Sequence, residues 1–554
     1  MQAKKNDLLI APISGLEQIG ANCTMIGNNN EWIIVDLGIA FYDKLGIEVL
    51  TPDISFPVSV KKNIKGLFVT HAHEDHIGAI QYLWPQLQCP IYLTEFPAAV
   101  LKQKFSEYAW KDDVEMHVVQ PKQHIKVGGF EVEYVSLAHS ILGACGIYIK
   151  TQAGSVFHTG DWKIDETPLL GDEVDEKRLT EIGKEGVDCL LCDSTNILTN
   201  EQIGSETDVK EALTRVISNY KNKRITVTCF SSNVARMETI FNVAKKTGRR
   251  VAIIGRSMHK MINAVSNTAY FSNKFKTSVN SILTDEEAAS MPPEKVLLIC
   301  TGSQGESRSA LFRLARGENK VIKLGKQDVV LFSSKVIPGN ELGIREMQNL
   351  LVRKDVEIVT TDTEDDIHVS GHPNKEAIAK MYGWLKPKSL IPVHGDARML
   401  YAQRDFAYQS GISDVLIAES GDIVNFSGGM LKKVDHKDVV FNAIDGTDLI
   451  PLSSPVIRER SIMTYNGHVS VSFLMSGKNK IVGTPEITIN GIHVDAENRN
   501  KLDSIIYQII STEIVKNPEN KENLIKECEF SIKKLISRHF EKKPIVTVHI
   551  HKCA

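Results

Sequence analysis

The sequence lacks the features that would place the chain in a membrane or outside the cell. No apolar run approaches the about 18 residues that a membrane-spanning helix needs. The strongest runs, Val296–Cys300 and Val329–Phe332, have the length of strands. The N-terminal residues lead into a short apolar segment without a small-residue cleavage site, so a secretory signal is not expected. These absences predict a cytoplasmic protein without a membrane partner.

Cysteine is also scarce. Nine cysteines are scattered along 554 residues, an odd number that argues against a disulfide framework and fits a reducing compartment. Cys189 and Cys192 have C-x-x-C spacing, but residues three apart on a strand point to opposite faces, which predicts core cysteines. The sequence has no phosphate-binding G-x-x-x-x-G-K-[ST] motif and no dinucleotide fingerprint. Energy coupling and redox cofactors are therefore unsupported.

The net charge of −3 hides an uneven distribution. Residues 207–280 contain 14 Lys and Arg but only three acidic residues, so this segment carries +11 and the rest of the chain −14. A basic module on an acidic body is the electrostatic footprint of a surface that binds a polyanion. A solvated basic surface without a partner is the alternative that charge alone leaves open.

The same basic segment shows the alternation of predicted helices and strands that is typical of a parallel α/β domain. Helical spacing over 208–220 is followed by a strand at 224–230, a helix at 237–246 and a strand at 250–254. After about residue 425, Gly428-Gly429 and the polar run Val434–Asp448 predict a linker. The last segment, 449–554, predicts two long helices and a final strand.

The run His71-Ala-His73-Glu-Asp75-His76 follows a predicted strand that ends at Thr70. Three imidazoles and two carboxylates within six residues are dense enough to bind borderline metals. His71 and His73 alternate and can face one ion, while Asp75 and His76, after a turn, can face a second. Further candidate ligands follow other apolar runs, at His139, Asp161 and His394.

The histidine-rich run and the later candidates His139, Asp161 and His394 match, in the same order along the chain, the ligand motifs of the metallo-β-lactamase fold, which this chain therefore resembles. The resemblance implies two Zn²⁺ ions: one on His71, His73 and His139, the other on Asp75, His76 and His394, with Asp161 bridging both. Asp36 matches the early aspartate of that family, which supports the metal loop from behind. Ligand type makes zinc the expected metal and leaves manganese open.

Asp161 and His394 are 233 residues apart, and the basic module lies in this gap. This long separation predicts an inserted lid over a nucleic-acid channel. The insertion is similar to the β-CASP domain of nucleic-acid-processing enzymes, and more closely to that of the ribonuclease J family. The motifs that carry this similarity are Cys192–Asn196, Phe230–Arg236, Gly255–Met258, Thr301–Glu306, Ser333–Glu341, His368–His372 and Lys386–Gly395.

This resemblance implies an α/β architecture, a metallo-β-lactamase αβ/βα sandwich interrupted by a β-CASP domain and followed by a small α/β C-terminal domain. The expected divisions are 1–205 and 361–427 for the sandwich, 206–360 for the insert, 428–448 for the linker and 449–554 for the last domain. The sequence departs from the family pattern at Ser140–Gly143, Arg308 and Gly15–Gln18, none of which is an expected ligand.

The resemblance also assigns roles beside the metals. Asp193 and His372 would form the proton-handling pair, because the departing 3′-oxygen is a poor leaving group that needs an acid. Which of the two donates the proton stays open. The stretch that would hold a terminal 5′-phosphate comprises His368, Val369, Ser370, Gly371 and His372; its Ser-Gly turn lets backbone N–H groups approach phosphate oxygens.

The implied function is hydrolysis of single-stranded RNA in RNA maturation and decay. It would proceed 5′→3′ from 5′-monophosphate ends, and endonucleolytic cleavage is left open. By analogy, the chain would form a homodimer or homotetramer and associate with other RNA-decay proteins. Two alternatives remain: a DNA-directed 5′ exonuclease on the same scaffold, and an inactive RNA-binding paralogue within a ribonuclease complex.

Overall fold

The computed structural model describes residues 7–199, 204–271, 273–337, 339–517 and 520–552. The chain forms two units. The first contains Thr51–Val439 together with the chain that precedes Tyr42, and the second contains Tyr42–Leu50 together with the chain from Val440 onwards. Among the described residues, no helix has the length and apolar character needed to cross a membrane.

Runs of consecutive strands dominate the chain before residue 200, and strands and helices alternate more regularly from there to residue 415. Before residue 200 the strands are β1 Leu8–Ser14, β2 Cys23–Asn28, β3 Glu31–Val35, β4 Ala40–Lys44, β5 Ile47–Thr51, β6 Ile64–Phe68, β7 Ile91–Leu93, β8 Met116–Val118, β9 His124–Val127, β10 Phe130–Ser136, β11 Cys145–Thr151, β12 Gly154–His158 and β13 Cys189–Asp193. The helices there are α1 Ser55–Ser59, α2 Glu74–Ile77, α3 Ile80–Leu87, α4 Glu95–Phe105 and α5 Glu176–Glu185.

The remaining elements fall into three groups. The insert has α6 Glu206–Asn219, β14 Arg224–Thr228, α7 Val234–Lys246, β15 Arg250–Ile254, α8 Arg256–Val265, α9 Asn273–Val279, α10 Asp285–Ser290, β16 Val296–Cys300, α11 Ala310–Arg316, β17 Asp328–Phe332, α12 Glu341–Val352 and β18 Glu357–Val359. The chain then forms α13 Lys375–Leu385, β19 Ser389–Val393, α14 Ala397–Gln409, β20 Asp414–Val415, β21 Asp422–Ser427 and β22 Met430–His436. The second unit adds β23 Asn442–Asp445, β24 Asp448–Pro451, α15 Pro455–Asn466, β25 His468–Met475, β26 Ile481–Asn490, α16 Ala496–Lys516, α17 Lys521–Phe540 and β27 Ile545–Lys552.

Two sheets face each other in the first unit. Their strand orders are β22-β21-β1-β2-β3-β6-β7-β8 and β20-β19-β13-β12-β11-β10-β9. Apolar residues from both fill the space between them, such as Ile10 and Ile33 from one sheet and Ile147 and Leu191 from the other. The second sheet buries its other face against α5, α13 and α14. This is the expected αβ/βα sandwich. Because both faces of the second sheet are covered, its central strands have nearly continuous apolar sequences.

The insert is built on a wholly parallel sheet with the order β15-β16-β14-β17-β18. Its first helix, α6, starts at a capping box in which Ser205 and Asp208 satisfy each other's backbone N–H groups. Arg236 from α7 is fully buried and forms a bidentate ion pair with Glu206 at 2.6 and 3.0 Å. Its guanidinium also donates to Ser333 O and Oγ, and Ser333 Oγ donates to Ile367 O. The insert is thereby tied to the segment that leads back to the sandwich.

The second unit contains two small sheets, with the orders β24-β23-β5-β4 and β26-β25-β27. Strands β25 and β27 pair in parallel, while β26 runs antiparallel to β25. Alternate residues of these strands pack against α16 and α17, among them Val471 and Val548 against Ile506 and Ile532.

The segment expected to be a linker, 428–448, differs from that prediction. It contains β22 and β23, and β22 pairs antiparallel with β21 at the edge of the first sheet. Only Leu431 is buried in β22, so the strand keeps the polar composition that indicated a loop. The cysteine prediction is confirmed for the eight described cysteines, which are free and buried. Cys189 faces the core between the sheets and Cys192 faces the helices.

Candidate metal centre

Strand direction explains why distant residues meet at one place. Strands β10, β12, β13 and β19 all run the same way in the second sheet. Their carboxyl ends therefore lie at one edge, and they are followed there by His139, Asp161, Asp193 at the end of β13, and His394. The loop that carries His71, His73 and His76 follows β6 of the facing sheet.

One ligand group consists of His71, His73, His139 and Asp161. His73 Nδ1 lies 3.1 Å from His71 Nε2 and 3.0 Å from His139 Nε2. Asp161 Oδ2 lies 3.8 Å from His71 Nε2 and 3.9 Å from His139 Nε2. Burial lowers the pKa of each imidazole, that of His73 to about 4. The rings are therefore neutral at pH 7, which is the form that binds a metal.

A second group consists of Asp75, His76, Asp161 and His394. Asp161 Oδ1 lies 3.3 Å from His76 Nε2, and Asp161 Oδ2 lies 3.4 Å from His394 Nε2. Asp75 Oδ2 lies 3.6 and 3.8 Å from the same two imidazole nitrogens. Asp161 thus belongs to both groups, and it is the residue to which the family resemblance assigns the bridging position.

The donor set fits divalent metal ions. Within each group, the candidate ligand atoms lie within 4.8 Å of one another. Asp161 Oδ1 is buried and accepts no hydrogen bond, which is costly for a carboxylate oxygen unless it has a ligand. Burial favours the neutral carboxyl, yet the imidazoles of His394 and His76 hold the pKa of Asp161 well below its usual range. Several imidazole nitrogens around one buried carboxylate are typical of zinc and manganese sites.

Asp36, which the family resemblance places behind the histidine-rich loop, hydrogen-bonds to that loop. Its Oδ2 accepts from His76 Nδ1 at 2.7 Å and from Thr70 Oγ1 at 2.7 Å, and its Oδ1 accepts from Thr70 N at 2.8 Å. The hydrogen bond to His76 fixes the tautomer that leaves Nε2 for the metal. Asp36 and His394 both adopt left-handed backbone conformations, with φ of 60° and 54°. Such strain persists where the surrounding bonds hold it, and it is common at functional sites.

Asp193 and His372 form a hydrogen-bonded pair beside Asp161. His372 Nδ1 lies 2.8 Å from Asp193 Oδ2. Asp193 Oδ1 accepts from the backbone N–H and the hydroxyl of Thr195 at 2.9 and 2.7 Å. Burial opposes the charged imidazolium, but the carboxylate of Asp193, with help from Asp161, raises the pKa of His372 to about 9. With Asp161 the pair makes a third cluster of potential ligand atoms.

The predicted phosphate-binding stretch lies next to this pair. The buried His368 Nδ1 has no hydrogen-bond partner, and burial together with Arg236 lowers the pKa of His368 well below its usual value. Ser370 Oγ accepts from Asn196 Nδ2 at 2.6 Å and from the backbone N–H of His372 at 3.2 Å. Val369 lines a cleft of about 480 Å³ that also reaches His139, Lys163 and Asn233.

Gly371 has a contact that the sequence analysis does not anticipate. Its carbonyl lies 2.6 Å from His139 Nδ1 and fixes the orientation of that candidate ligand. A side chain at this position would place Cβ 2.8 Å from His139 Cε1, so only glycine allows this approach. Sequence reasoning also misses Asn22, whose side chain reaches His394 and Asp75. A single amide carries no metal-ligand pattern that would reveal it.

Four family models match the chain. The metallo-β-lactamase superfamily matches residues 17–180, and the β-CASP domain of ribonuclease J matches 222–351. A Zn-dependent metallo-hydrolase RNA specificity domain matches 359–416, and the ribonuclease J C-terminal domain matches 455–553.

Proteins that are similar over most of this chain are also ribonuclease J proteins. Ribonuclease J from Sinorhizobium meliloti is 34% identical over 99% of this chain and 98% of its own length. Ribonuclease J from Synechocystis is 32% identical over 97% and 86%, and ribonuclease J 1 from Streptococcus pyogenes is 33% identical over 88% and 87%. The chain belongs to the ribonuclease J family.

As a ribonuclease J family member, the chain is a metal-dependent ribonuclease, and the predicted family is confirmed. A solved structure, that of a protein of unknown function from Enterococcus faecalis, covers 76% of this chain and 100% of its own, with a TM-score of 0.54 and 17% identity. This similarity concerns the fold alone. The RNA specificity model spans both His368–His372 and His394.

Proposed function

We propose that this ribonuclease degrades single-stranded RNA 5′→3′ from 5′-monophosphate ends, with endonucleolytic cleavage as a second activity. The observation that carries the proposal is the shared Asp161, which joins two ligand groups directly beside the Asp193–His372 pair. In this proposal two Zn²⁺ ions, or Mn²⁺ in their place, are held by the two groups. Bound divalent ions supply Lewis acids that neutralise phosphoryl charge and activate water.

The chain's own residues would divide the remaining work. Thr195 anchors one oxygen of Asp193, and the other oxygen orients His372 through Nδ1, which leaves His372 Nε2 free to face a substrate. His372 would then protonate the departing 3′-oxygen, with Asp193 as its orienting partner. A positioned acid of this kind contributes about 10²–10⁴-fold to a rate.

The stretch His368–His372 would hold the terminal 5′-phosphate. His368 offers a buried nitrogen without a partner, and Asn196 bridges Ser370 Oγ and His372 O at 2.6 and 3.0 Å. Arg236 and Lys163 also act electrostatically on His368, and each of these cations is paired with a carboxylate, Glu206 and Asp165 respectively. A 5′-triphosphate adds charge and bulk, and a 5′-hydroxyl removes the anion, so both ends would be poorer substrates.

Family membership supports a proposal for the wider setting. We propose the expected divisions 1–205 with 361–427, 206–360 and 449–554 as the functional domains of the chain. We further propose a homodimer or homotetramer that acts in RNA maturation and decay in the cytoplasm, with other RNA-decay proteins as partners.

The test uses one internally labelled single-stranded RNA with a 5′-monophosphate, a 5′-triphosphate or a 5′-hydroxyl, and a matched DNA. Products are followed over time with and without a chelator. Fastest release of mononucleotides from the monophosphate RNA, stopped by the chelator, is the expected result. Identical internal fragments from all three RNAs would contradict the exonuclease proposal and the phosphate assignment. Equal degradation of the DNA would instead point to a DNA-directed exonuclease.

A further inference from the structure

Asn22 is held by its backbone among the loops that supply the second ligand group. It follows Ala21, whose φ is 53°, and its N–H donates to Asp75 O at 2.9 Å. Its carbonyl accepts from Gly38 N at 3.0 Å. The position of Asn22 is therefore fixed on both sides by hydrogen bonds to the backbone around the metal loop.

The side-chain amide of Asn22 reaches three members of that ligand group. Oδ1 lies 3.0 Å from His394 Nδ1. Nδ2 donates to Asp75 O at 3.0 Å, and it lies 3.5 Å from Asp75 Oδ2 and 3.0 Å from His76 Nε2. One amide thus connects residues that lie 53, 54 and 372 positions away in the sequence.

The chemistry of these partners fixes the amide in one orientation. His394 Nε2 faces Asp75 and Asp161, so Nδ1 carries the proton when Nε2 binds a metal. That N–H needs an acceptor, which Oδ1 supplies, while the carbonyl of Asp75 needs a donor, which Nδ2 supplies. An aspartate at position 22 keeps the acceptor but turns a second oxygen toward the Asp75 carbonyl.

We infer that Asn22 is a positioning residue that selectively sets the geometry of the metal position formed by Asp75, His76 and His394. This inference rests on the two-metal site of the proposed function. The other position is oriented by different groups, because Thr70 contacts His71 and the Gly371 carbonyl contacts His139. Among the hydrogen bonds of the described residues, Asn22 contacts none of the three histidines of that position.

Gly15 provides a second, independent way to disturb the same amide. A Cβ built on Gly15 would lie 2.5 Å from Asn22 Oδ1, and the φ of Gly15 is +89°. Glycine at this position therefore leaves the space that the amide occupies. Gly15→Ala is expected to push the amide away from His394 without removing it.

The experiment measures metal binding directly. Metal-free full-length protein is titrated with Zn²⁺ against a chromogenic chelator, and thermal unfolding checks that each variant is folded. Loss of an outer hydrogen bond to a metal ligand lowers affinity about 10–100-fold. Asn22→Ala is therefore expected to keep one site unchanged and weaken the other by this factor, with smaller losses for Asn22→Asp and Gly15→Ala. Asn28→Ala is the control, since Asn28 is an asparagine at least as buried as Asn22 whose side chain donates to Asp7 O instead of contacting a candidate ligand.

A second measurement distinguishes a positioning role of Asn22 from a general loss of folded structure. Added Zn²⁺ should restore RNA cleavage by Asn22→Ala while the KM for RNA stays at the wild-type value. If Asn22→Ala does not fold, the folded Asn22→Asp variant carries the same test. If the variants bind two metals at wild-type affinity, or if the affinities of both metal positions fall equally, the inference about Asn22 is overturned while the two-metal proposal stands. A wild-type chain that binds only one metal would overturn the two-metal proposal and the inference with it.

Discussion

Replacement of Asp193 by asparagine tests the proposed proton-handling pair. In the structure, Asp193 Oδ1 accepts two hydrogen bonds from Thr195, and Oδ2 accepts from His372 Nδ1 at 2.8 Å. An asparagine can present its oxygen to only one of these partners. Its NH₂ group therefore faces either the donors of Thr195 or the N–H of His372, and in both orientations one close donor–acceptor contact is lost.

The size of the expected defect follows from the role of the acid. Loss of a positioned general acid lowers a rate by about 10²–10⁴-fold, which corresponds to about 2.7–5.5 kcal/mol of activation free energy. Zinc content should stay unchanged, because the ligands of the two main groups keep their contacts. The KM for RNA should also stay close to the wild-type value, since the basic insert and residues His368–Gly371 of the proposed phosphate-binding stretch are unchanged.

The leaving group provides the decisive comparison. A p-nitrophenyl phosphodiester releases a weakly basic oxygen that does not need protonation, so Asp193→Asn should cleave it at nearly the wild-type rate while RNA cleavage falls. Asp188→Asn serves as the control, because Asp188 pairs with Ser155 and Lys388 away from the metals. An equal loss on both substrates would refute the acid role and assign Asp193 to metal geometry.

Three further predictions concern the same site. Asp161→Ala should abolish cleavage while RNA binding, measured by filter retention, survives on the basic insert; turnover near the wild-type rate would contradict the dinuclear site. Glu206→Gln leaves the buried Arg236 without its charge partner and should lower the free energy of unfolding by about 3–5 kcal/mol in urea titrations, and an unchanged midpoint would be inconsistent with the buried pair. Gly371→Ala should lower metal affinity at the position that includes His139, because a Cβ would lie 2.8 Å from that ring, and titration with Zn²⁺ would show whether it does.

The dense metal loop explains why much of the site could be predicted from the sequence. His71, His73, Asp75 and His76 lie within six residues, and His139 and His394 each follow an apolar run that becomes a strand. Polar residues placed just past strand ends meet at one sheet edge whenever those strands run in the same direction. The shared direction of these strands is therefore what brings the candidate ligands together. The local pattern of an apolar run followed by a polar residue predicts such positions well.

Other parts of the site leave no such trace in the sequence. The contact from Gly371 to His139 uses a backbone carbonyl, which every residue has, and it joins positions 232 apart. The left-handed φ of Asp36 and His394 depends on tertiary hydrogen bonds and not on residue type. Strand β22 escapes prediction for a related reason, because an edge strand that buries only Leu431 has the composition of a loop.

These long-range contacts connect the proposed phosphate-binding stretch with the candidate metal ligands. Glu206 pairs with Arg236, Arg236 donates to Ser333, and Ser333 Oγ donates to Ile367 O, directly before the proposed phosphate-binding stretch. Four residues further on, the Gly371 carbonyl orients His139. A change that loosens the buried ion pair is therefore expected to reach a metal ligand through the backbone alone. In Glu206→Gln, zinc affinity at the position that includes His139 should fall together with stability, whereas the position set by Asn22 should keep its affinity.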